Sequence, residues 1–155
     1  MPKFQTLRRV AHTPEQMFDL VADVEAYPQF VPLCTALRVR NRVQDKAGQT
    51  VLVADMEVGY KAIREKFSSR VMMDKPTLLI TVDYLDGPFS RMHNVWNFRE
   101  LGIGAMPACE IGFFIDYEFR SRMLGLLMGS MFDAAFRRFT AAFEARADKV
   151  YGRSA

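Results

Sequence analysis

Between Leu33 and Phe119, apolar and polar residues alternate along six separate runs, and this period of two constrains the fold more than any other feature. Residues that alternate in this way belong to β-strands that bury one side. In the last run, "CEIGFFIDYEF" (109–119), every second residue is apolar or cysteine. Turn sequences rich in Asp, Gly and Pro separate the runs, at 45–48, 74–76 and 86–88. Short connections between successive strands predict an antiparallel sheet with one buried face.

The residues before this region predict one strand followed by short helical structure. Phe4–Val10 suits a first strand. Thr13 is placed to cap a helix, with Pro14 at its first position and Gln16 completing a capping box. The stretch Tyr27–Cys34 then contains two prolines, which predict a single helical turn or a loop.

The last predicted element is a long helix over 121–149, which carries an aromatic seam. Eight residues fall near one line at helical spacing: Gly125, Met128, Gly129, Phe132, Phe136, Phe139, Phe143 and Val150. Such a seam indicates a helix lying across a sheet. We therefore predict a single α+β domain over 1–155, in which a curved antiparallel sheet of about seven strands surrounds the C-terminal helix, with short helices after the first strand.

Several apolar residues have no place in this arrangement. Met123, Leu126 and Leu127 fall on the side of the helix opposite the seam, and the stretches 27–34 and 101–109 are uncharged connections. Two explanations stay open, because such residues either pack against loops or a second subunit, or surround the mouth of an apolar pocket.

Small and flexible side chains favour the pocket. Gly125 and Gly129 leave room on the inner stripe of the helix, where larger side chains would pack more tightly. Met92, Met128 and Met131 add polarisable surface that adapts to ligands of different shape.

At the level of motifs, "YPQFVPLC", "REKFSSRV", "LDGPFSRMHNVWNF" and "CEIGFFIDYEFRSRML" together resemble bacterial coenzyme Q-binding proteins of the START, or helix-grip, superfamily. That superfamily also includes polyketide cyclases and close relatives described as ribosome-associated toxins. The residues that match its signatures are Tyr27, Pro28, Phe30, Val31, Pro32 and Cys34, then Gly87, Pro88, Phe89, Trp96 and Phe98. The resemblance implies a tunnel between sheet and helix that holds a polyprenyl quinone, a ubiquinone-like lipid of respiration, which is carried and not transformed.

The resemblance and the helical seam together define the candidate site. The predicted ligand-binding residues are Tyr27, Pro28, Phe30, Val31, Pro32, Trp96, Phe98, Gly125, Met128, Gly129 and Phe132. The predicted mouth, which would touch a membrane or a partner, is formed by Tyr27–Cys34 with Met123, Leu126 and Leu127.

Catalytic and metal-binding motifs are missing from the sequence. It contains no CxxC, H-x-x-x-H, G-x-S-x-G or P-loop pattern, so we predict no enzyme activity, no metal and no cofactor apart from the bound lipid. A cyclase would need a polar group inside the cavity, for which Asn94, Ser68 and Tyr117 are the candidates. His12 is predicted to be exposed, and His93 lies on the strand face opposite Trp96.

Alternating arginines mark the first long strand, at Arg38, Arg40 and Arg42. They are explained by a solvated face, although a patch with Arg64, Lys66 and Arg70 would also suit anionic lipid or ribosomal RNA. Three functions therefore remain: a quinone carrier, a ribosome-binding translation inhibitor and a cyclase. The sequence does not decide the oligomeric state.

Two features bear on location. Cys34 and Cys109 lie far apart without CxxC partners, which predicts two reduced thiols. The N-terminus lacks the apolar core of a signal peptide, and the longest uncharged stretch, 26–37, is shorter than the roughly 20 residues of a membrane span. We predict a cytoplasmic protein that contacts the inner face of the cytoplasmic membrane peripherally.

Overall fold

The structure, a computed structural model, describes residues 3–101 and 106–152 of the 155-residue chain. The element order agrees with the prediction. The elements are β1 (Lys3–Val10), α1 (Pro14–Ala22), a 3₁₀ helix (Val24–Gln29), β2 (Cys34–Gln44), β3 (Gln49–Tyr60), β4 (Ile63–Asp74), β5 (Leu79–Asp86), β6 (Phe89–Glu100), β7 (Cys109–Phe119) and α2 (Arg122–Tyr151).

The strands form one seven-stranded sheet in the order β1-β7-β6-β5-β4-β3-β2. All neighbouring pairs are antiparallel, and the first strand reaches the far side of the meander by pairing with the last, from Lys3 opposite Asp116 to Val10 opposite Cys109. The curved sheet and the long C-terminal helix confirm the predicted helix-grip arrangement.

Both helices begin as their capping residues predict. The Thr13 hydroxyl accepts a hydrogen bond from the Gln16 amide at 3.0 Å, and the Gln16 side chain accepts one from the Thr13 amide at 3.0 Å. Ser121 caps α2 by accepting from the Leu124 amide at 3.1 Å. These bonds satisfy amide groups that the first turn of a helix cannot pair internally.

The aromatic seam of α2 packs on the inner face of the sheet for most of its length. Met128, Phe132, Phe136 and Phe143 are buried, whereas Val150 is 51% exposed, so its place in the seam was predicted wrongly. At that end α2 contacts α1 and the segment before it, through the pair of His12 and Asp148 and the bond from Tyr151 to Gln16. Because α2 meets α1 and the preceding segment here, and not the sheet, the side of α2 that carries Val150 is left exposed.

A β-bulge interrupts the alternation of β2, which by itself predicts that Val43 faces inward with Leu37 and Val39. Arg40 lies opposite Val53, but Val43 lies opposite Val51, so one extra residue stands in β2. Asn41 adopts a left-handed backbone, with φ of 53°. The extra residue turns Val43 to the outer face, where it is 65% exposed, instead of leaving it on the inner face.

Candidate functional site

A cavity of about 90 Å³ separates α2 from the inner face of the sheet. The 3₁₀ helix and the loop after it close one side of the cavity with Val24, Tyr27, Pro32 and Leu33. α2 closes another side with Phe132, Ala135, Phe136, Phe139 and Phe143. The remaining lining residues come from β2–β7: Leu37, Ala54, Met56, Val58, Phe67, Ser69, Val71, Ile80, Val82, Phe89, Met92, Asn94, Trp96 and Ile115.

The lining is almost entirely apolar. Among the described residues around the cavity none is charged, and only Tyr27, Ser69, Asn94 and Trp96 carry side-chain nitrogen or oxygen atoms. The Tyr27 hydroxyl donates to the Val21 carbonyl at 2.5 Å, and burial raises the pKa of this phenol. Because its proton is already used, Tyr27 presents its ring to the cavity as an apolar wall.

The two cysteines are buried and free. Burial raises the pKa of the Cys34 thiol to about 11 and that of the Cys109 thiol to about 12. Both remain protonated at neutral pH, and a protonated thiol is a poor nucleophile and a poor metal ligand.

Four of the predicted ligand-binding residues line the cavity: Tyr27, Pro32, Trp96 and Phe132. Trp96 lies on the floor of the cavity and packs edge to face with Phe143 of α2, at 5.0 Å between ring centroids. The structure therefore brings together the two signature segments and the helical seam that the sequence singled out.

The other predicted residues lie outside the lining. Phe98 extends the inner row beyond Trp96, but it packs against Phe18 of α1 at 5.9 Å, because α1 covers that end of the sheet. Phe30 packs on Phe143 from the far side, at 5.0 Å. Pro28 is exposed, whereas Val31 and Met128 are buried in the core.

The two glycines of the seam also lie outside the lining. A Cβ placed on Gly125 would lie 3.9 Å from Phe119, and one placed on Gly129 would meet nothing within 4 Å. A side chain would therefore find room at both positions, as the sequence predicted, but neither glycine lines the cavity.

An exposed apolar surface marks the start of α2. Met123, Leu126 and Leu127 are 71%, 80% and 58% exposed, respectively. We call these three residues the apolar tip. The exposed arginines Arg120 and Arg122 lie beside them in sequence.

Two arginines of β2 pair with carboxylates of this protein, which leaves less positive charge for an anion-binding patch. Arg40 holds Asp55 with two hydrogen bonds of 2.7 and 2.9 Å, which lower the pKa of that carboxyl, and Arg42 lies 3.2 Å from Glu25. Arg38 is exposed. Much of the positive charge on this face is therefore balanced by nearby carboxylates.

The two histidines and the three cyclase candidates differ in burial and in the face on which they lie. His12, predicted to be exposed, is only 3% exposed and lies 2.8 Å from Asp148, because α2 passes over it. His93 lies on the outer face, as predicted, 2.7 Å from Asp83. Ser68 faces outward and donates to Asp55 at 2.6 Å, and Tyr117 is buried outside the cavity lining, so Asn94 is the one cyclase candidate that lines the cavity.

Sequence reasoning missed the contribution of β3, β4 and β5 to the cavity. Ala54, Ser69, Val71 and Val82 all face inward, and the alternation of these strands would have indicated them. The predicted apolar connection 101–109 lies partly outside the described residues.

Within residues 3–101 and 106–152 no group of three His, Cys, Asp or Glu side chains is placed to hold a metal ion. No helix in those ranges combines the length and apolar character needed to cross a membrane.

Residues 10–144 match the family described as polyketide cyclase / dehydrase and lipid transport. The chain belongs to this family. It is 32% identical to the ribosome association toxin RatA of Rickettsia prowazekii over 97% of its own length and 99% of that protein. It is also 33% identical to the mitochondrial coenzyme Q-binding protein COQ10 homolog B of Xenopus laevis, over 90% of this chain and 55% of that protein.

Solved structures show the same fold. An 18 kDa protein of Caulobacter crescentus, CC1736, is 37% identical and superposes with a TM-score of 0.78, over 99% of this chain and 100% of that one. The Zhui aromatase/cyclase of a Streptomyces species superposes with a TM-score of 0.72 at 18% identity, over 96% of this chain and 94% of that one, a likeness of fold alone.

Proposed function

We propose that this protein binds a neutral polyprenyl quinone, a ubiquinone-like lipid, in the cavity between sheet and α2 and carries it without transforming it. The observation on which the proposal rests is the uncharged, almost wholly apolar lining. A site for a hydrocarbon tail needs apolar surface and few polar groups, since each buried CH₂ contributes about 0.8 kcal/mol. The coenzyme Q-binding relative supports this choice of lipid.

The same lining argues for transport in preference to catalysis. Ring closure or dehydration needs a group that donates or removes a proton at the reacting atom. The described lining offers no carboxylate, imidazole or amine, and the Tyr27 hydroxyl is hydrogen-bonded to a backbone carbonyl. A bound lipid would therefore bury its tail against apolar side chains and would meet no general acid or base.

Uptake requires the cavity to widen. Its 90 Å³ is well below the roughly 300–1,000 Å³ of pockets that enclose a drug-sized ligand. The first turns of α2 are where widening costs least, because Met123, Leu126 and Leu127 are exposed and would lose little packing. We expect this part of the helix to lift from the sheet when the tail enters.

The apolar tip would then make the contact with the bilayer. Its three side chains are too exposed to stabilise the fold, but they would be buried among lipid acyl chains, while Arg120 and Arg122 meet anionic headgroups. In this proposal the end of α2 that lifts from the sheet contacts the membrane, where the quinone resides, and the protein associates peripherally with the inner face of the cytoplasmic membrane.

A matched pair of alanines on α2 tests the proposal. Ala135 lines the cavity and is 5% exposed, whereas its neighbour Ala134 is exposed. In a titration with a short-tailed ubiquinone analogue, followed by the fluorescence of Trp96, Ala135→Leu should weaken binding and Ala134→Leu should bind as wild type. Equal binding by both variants would place the ligand elsewhere.

Translation inhibition on the ribosome is the second candidate, favoured by the full-length similarity to toxins such as that of Rickettsia prowazekii. The test is co-sedimentation with ribosomes. If β2 is the contact, Arg38→Glu/Arg40→Glu should abolish co-sedimentation. The control change Arg99→Glu on β6, which breaks a 2.9 Å contact to Glu110 of β7, should preserve it. Absence of the wild-type protein from the ribosomal fraction would exclude this function.

A further inference from the structure

Two polar side chains stand out in the apolar lining. Ser69 of β4 and Asn94 of β6 are 4% and 8% exposed, and both face the cavity. The Asn94 amide nitrogen donates to the Phe114 carbonyl at 2.7 Å, which fixes its orientation. In the described part of the chain, no side-chain hydrogen bond involves the Ser69 hydroxyl.

Packing does not explain these two residues. Most inner-face neighbours of Ser69 and Asn94 are apolar, among them Val71, Val82 and Ile115. The exception is Tyr84, which lies opposite Ser69 and accepts a hydrogen bond from the Phe89 amide at 3.1 Å. A hydroxyl that lacks a protein partner in an apolar cavity costs about 1–3 kcal/mol, so an apolar residue in place of Ser69 would give a more stable empty protein. The Asn94 amide group has a second donor hydrogen beyond its bond to Phe114, so both side chains can bond to an oxygen-bearing group of a ligand.

The register of the sheet gives the size of that group. Asn94 lies opposite Val82, which lies opposite Val71, and Ser69 is two residues from Val71 along β4. Two strand spacings and this offset put the two residues about 12 Å apart along the sheet. Two hydrogen bonds of about 2.8 Å leave about 6 Å between the ligand oxygens, which is close to the breadth of one six-membered ring with oxygen atoms at opposite ends.

The charge of the lining restricts the ligand further. An ionised carboxylate or phosphate in this cavity would be desolvated without a cationic partner, since no described lining residue is Lys, Arg or His. Fatty acids and phospholipid headgroups are therefore poor occupants.

We propose that Ser69 and Asn94 form the polar subsite of the cavity, which selects a neutral ring carrying oxygen atoms at opposite positions, held by one hydrogen bond at each end. The hydrocarbon tail then lies between α2 and the loop at Pro32 and Leu33. This inference rests on the proposed function and adds to it the position and chemical class of the headgroup.

Removal of each polar group tests the subsite. With a ubiquinone analogue carrying a ten-carbon tail, Ser69→Ala should weaken binding about threefold to tenfold, the effect of one lost neutral hydrogen bond. Asn94→Leu should weaken it by a similar factor. Trp96, the single tryptophan of the chain, lines the cavity and reports occupancy through its fluorescence.

Controls separate the subsite from the fold. Thr140 of α2 is equally buried, at 3% exposed, but lies outside the lining, so Thr140→Val should leave quinone binding unchanged. Squalene, a hydrocarbon without oxygen, should bind wild type and Ser69→Ala equally, and palmitate should bind wild type more weakly than the quinone. Thermal unfolding of each variant checks that Asn94→Leu is folded.

The outcomes distinguish this inference from the proposed function. If Ser69→Ala and Asn94→Leu bind the quinone analogue as wild type does, the subsite is overturned while quinone binding stands. If wild-type protein binds squalene but not the quinone analogue, both are overturned. Binding of palmitate in preference to the quinone would contradict the selection for a neutral ring.

Discussion

Trp96 of β6 and Phe143 of α2 pack edge to face at 5.0 Å across one end of the cavity, and this contact joins the sheet to the helix. Phe143 is fully buried and also contacts Phe30 at 5.0 Å and Tyr27 at 5.4 Å. Phe143→Ala should lower the free energy of unfolding by about 3–5 kcal/mol, the usual cost of deleting a buried phenyl ring. Urea denaturation measures it, and a loss below about 1 kcal/mol would contradict the packing described.

The two histidines offer a matched comparison. His12 is buried against Asp148, whereas His93 is exposed and pairs with Asp83 at a similar distance. His12→Ala should lower the free energy of unfolding by about 1–3 kcal/mol, because it opens the contact between α2 and the segment before α1. His93→Ala should change it by less than about 0.5 kcal/mol, as is usual for surface pairs. Equal effects in thermal or urea unfolding would show that His12 is not a structural link.

Alkaline pH should destabilise the fold through Cys34. Burial raises the pKa of this thiol from 9.0 to about 11, so the unfolded chain loses the proton first as pH rises. The contribution of the neutral thiol is complete below pH 9 and is lost between pH 9 and about 11. Cys34→Ala should reduce the slope of stability against pH in that window. An unchanged slope in urea titrations would contradict the burial of the thiol.

Gly129 tests the distinction between the cavity and the space beside it. Since a Cβ there meets nothing within 4 Å, Gly129→Ala should raise the free energy of unfolding by about 0.5–1 kcal/mol through the better helix propensity of alanine. Quinone binding should not change, because Gly129 does not line the cavity. Weaker quinone binding by this variant would show that Gly129 belongs to the binding site.

Substitution of the apolar tip should separate membrane contact from folding. Met123→Ser/Leu126→Ser/Leu127→Ser should reduce sedimentation with vesicles of anionic phospholipid and leave the melting temperature within a few degrees of wild type, because all three side chains are exposed. The control is Leu7→Ser/Val43→Ser. These two apolar residues are 63% and 65% exposed but lie on the sheet, away from the apolar tip of α2. If the control reduces sedimentation as strongly, the tip has no special role.

The strands and helices followed from local patterns, whereas the composition of the cavity depends on how α2 crosses the sheet. Alternation and the Thr13 capping box predicted element types and order correctly, because each is a property of neighbouring residues. The seam placed Met128 and Phe132 on one stripe, but only Phe132 lines the cavity. Val43 faces outward because of a bulge at Asn41, a backbone choice that hydrophobic periodicity does not encode.

Bound lipid in the protein itself is the most direct test that the space between sheet and α2 is a lipid site. Organic extraction of protein purified from a quinone-producing bacterium, followed by mass spectrometry, should recover a prenylquinone at close to one molecule per chain from wild type and much less from Ala135→Leu. Wild-type protein that repeatedly yields no prenylquinone, although the producing cells contain it, would contradict the proposed function.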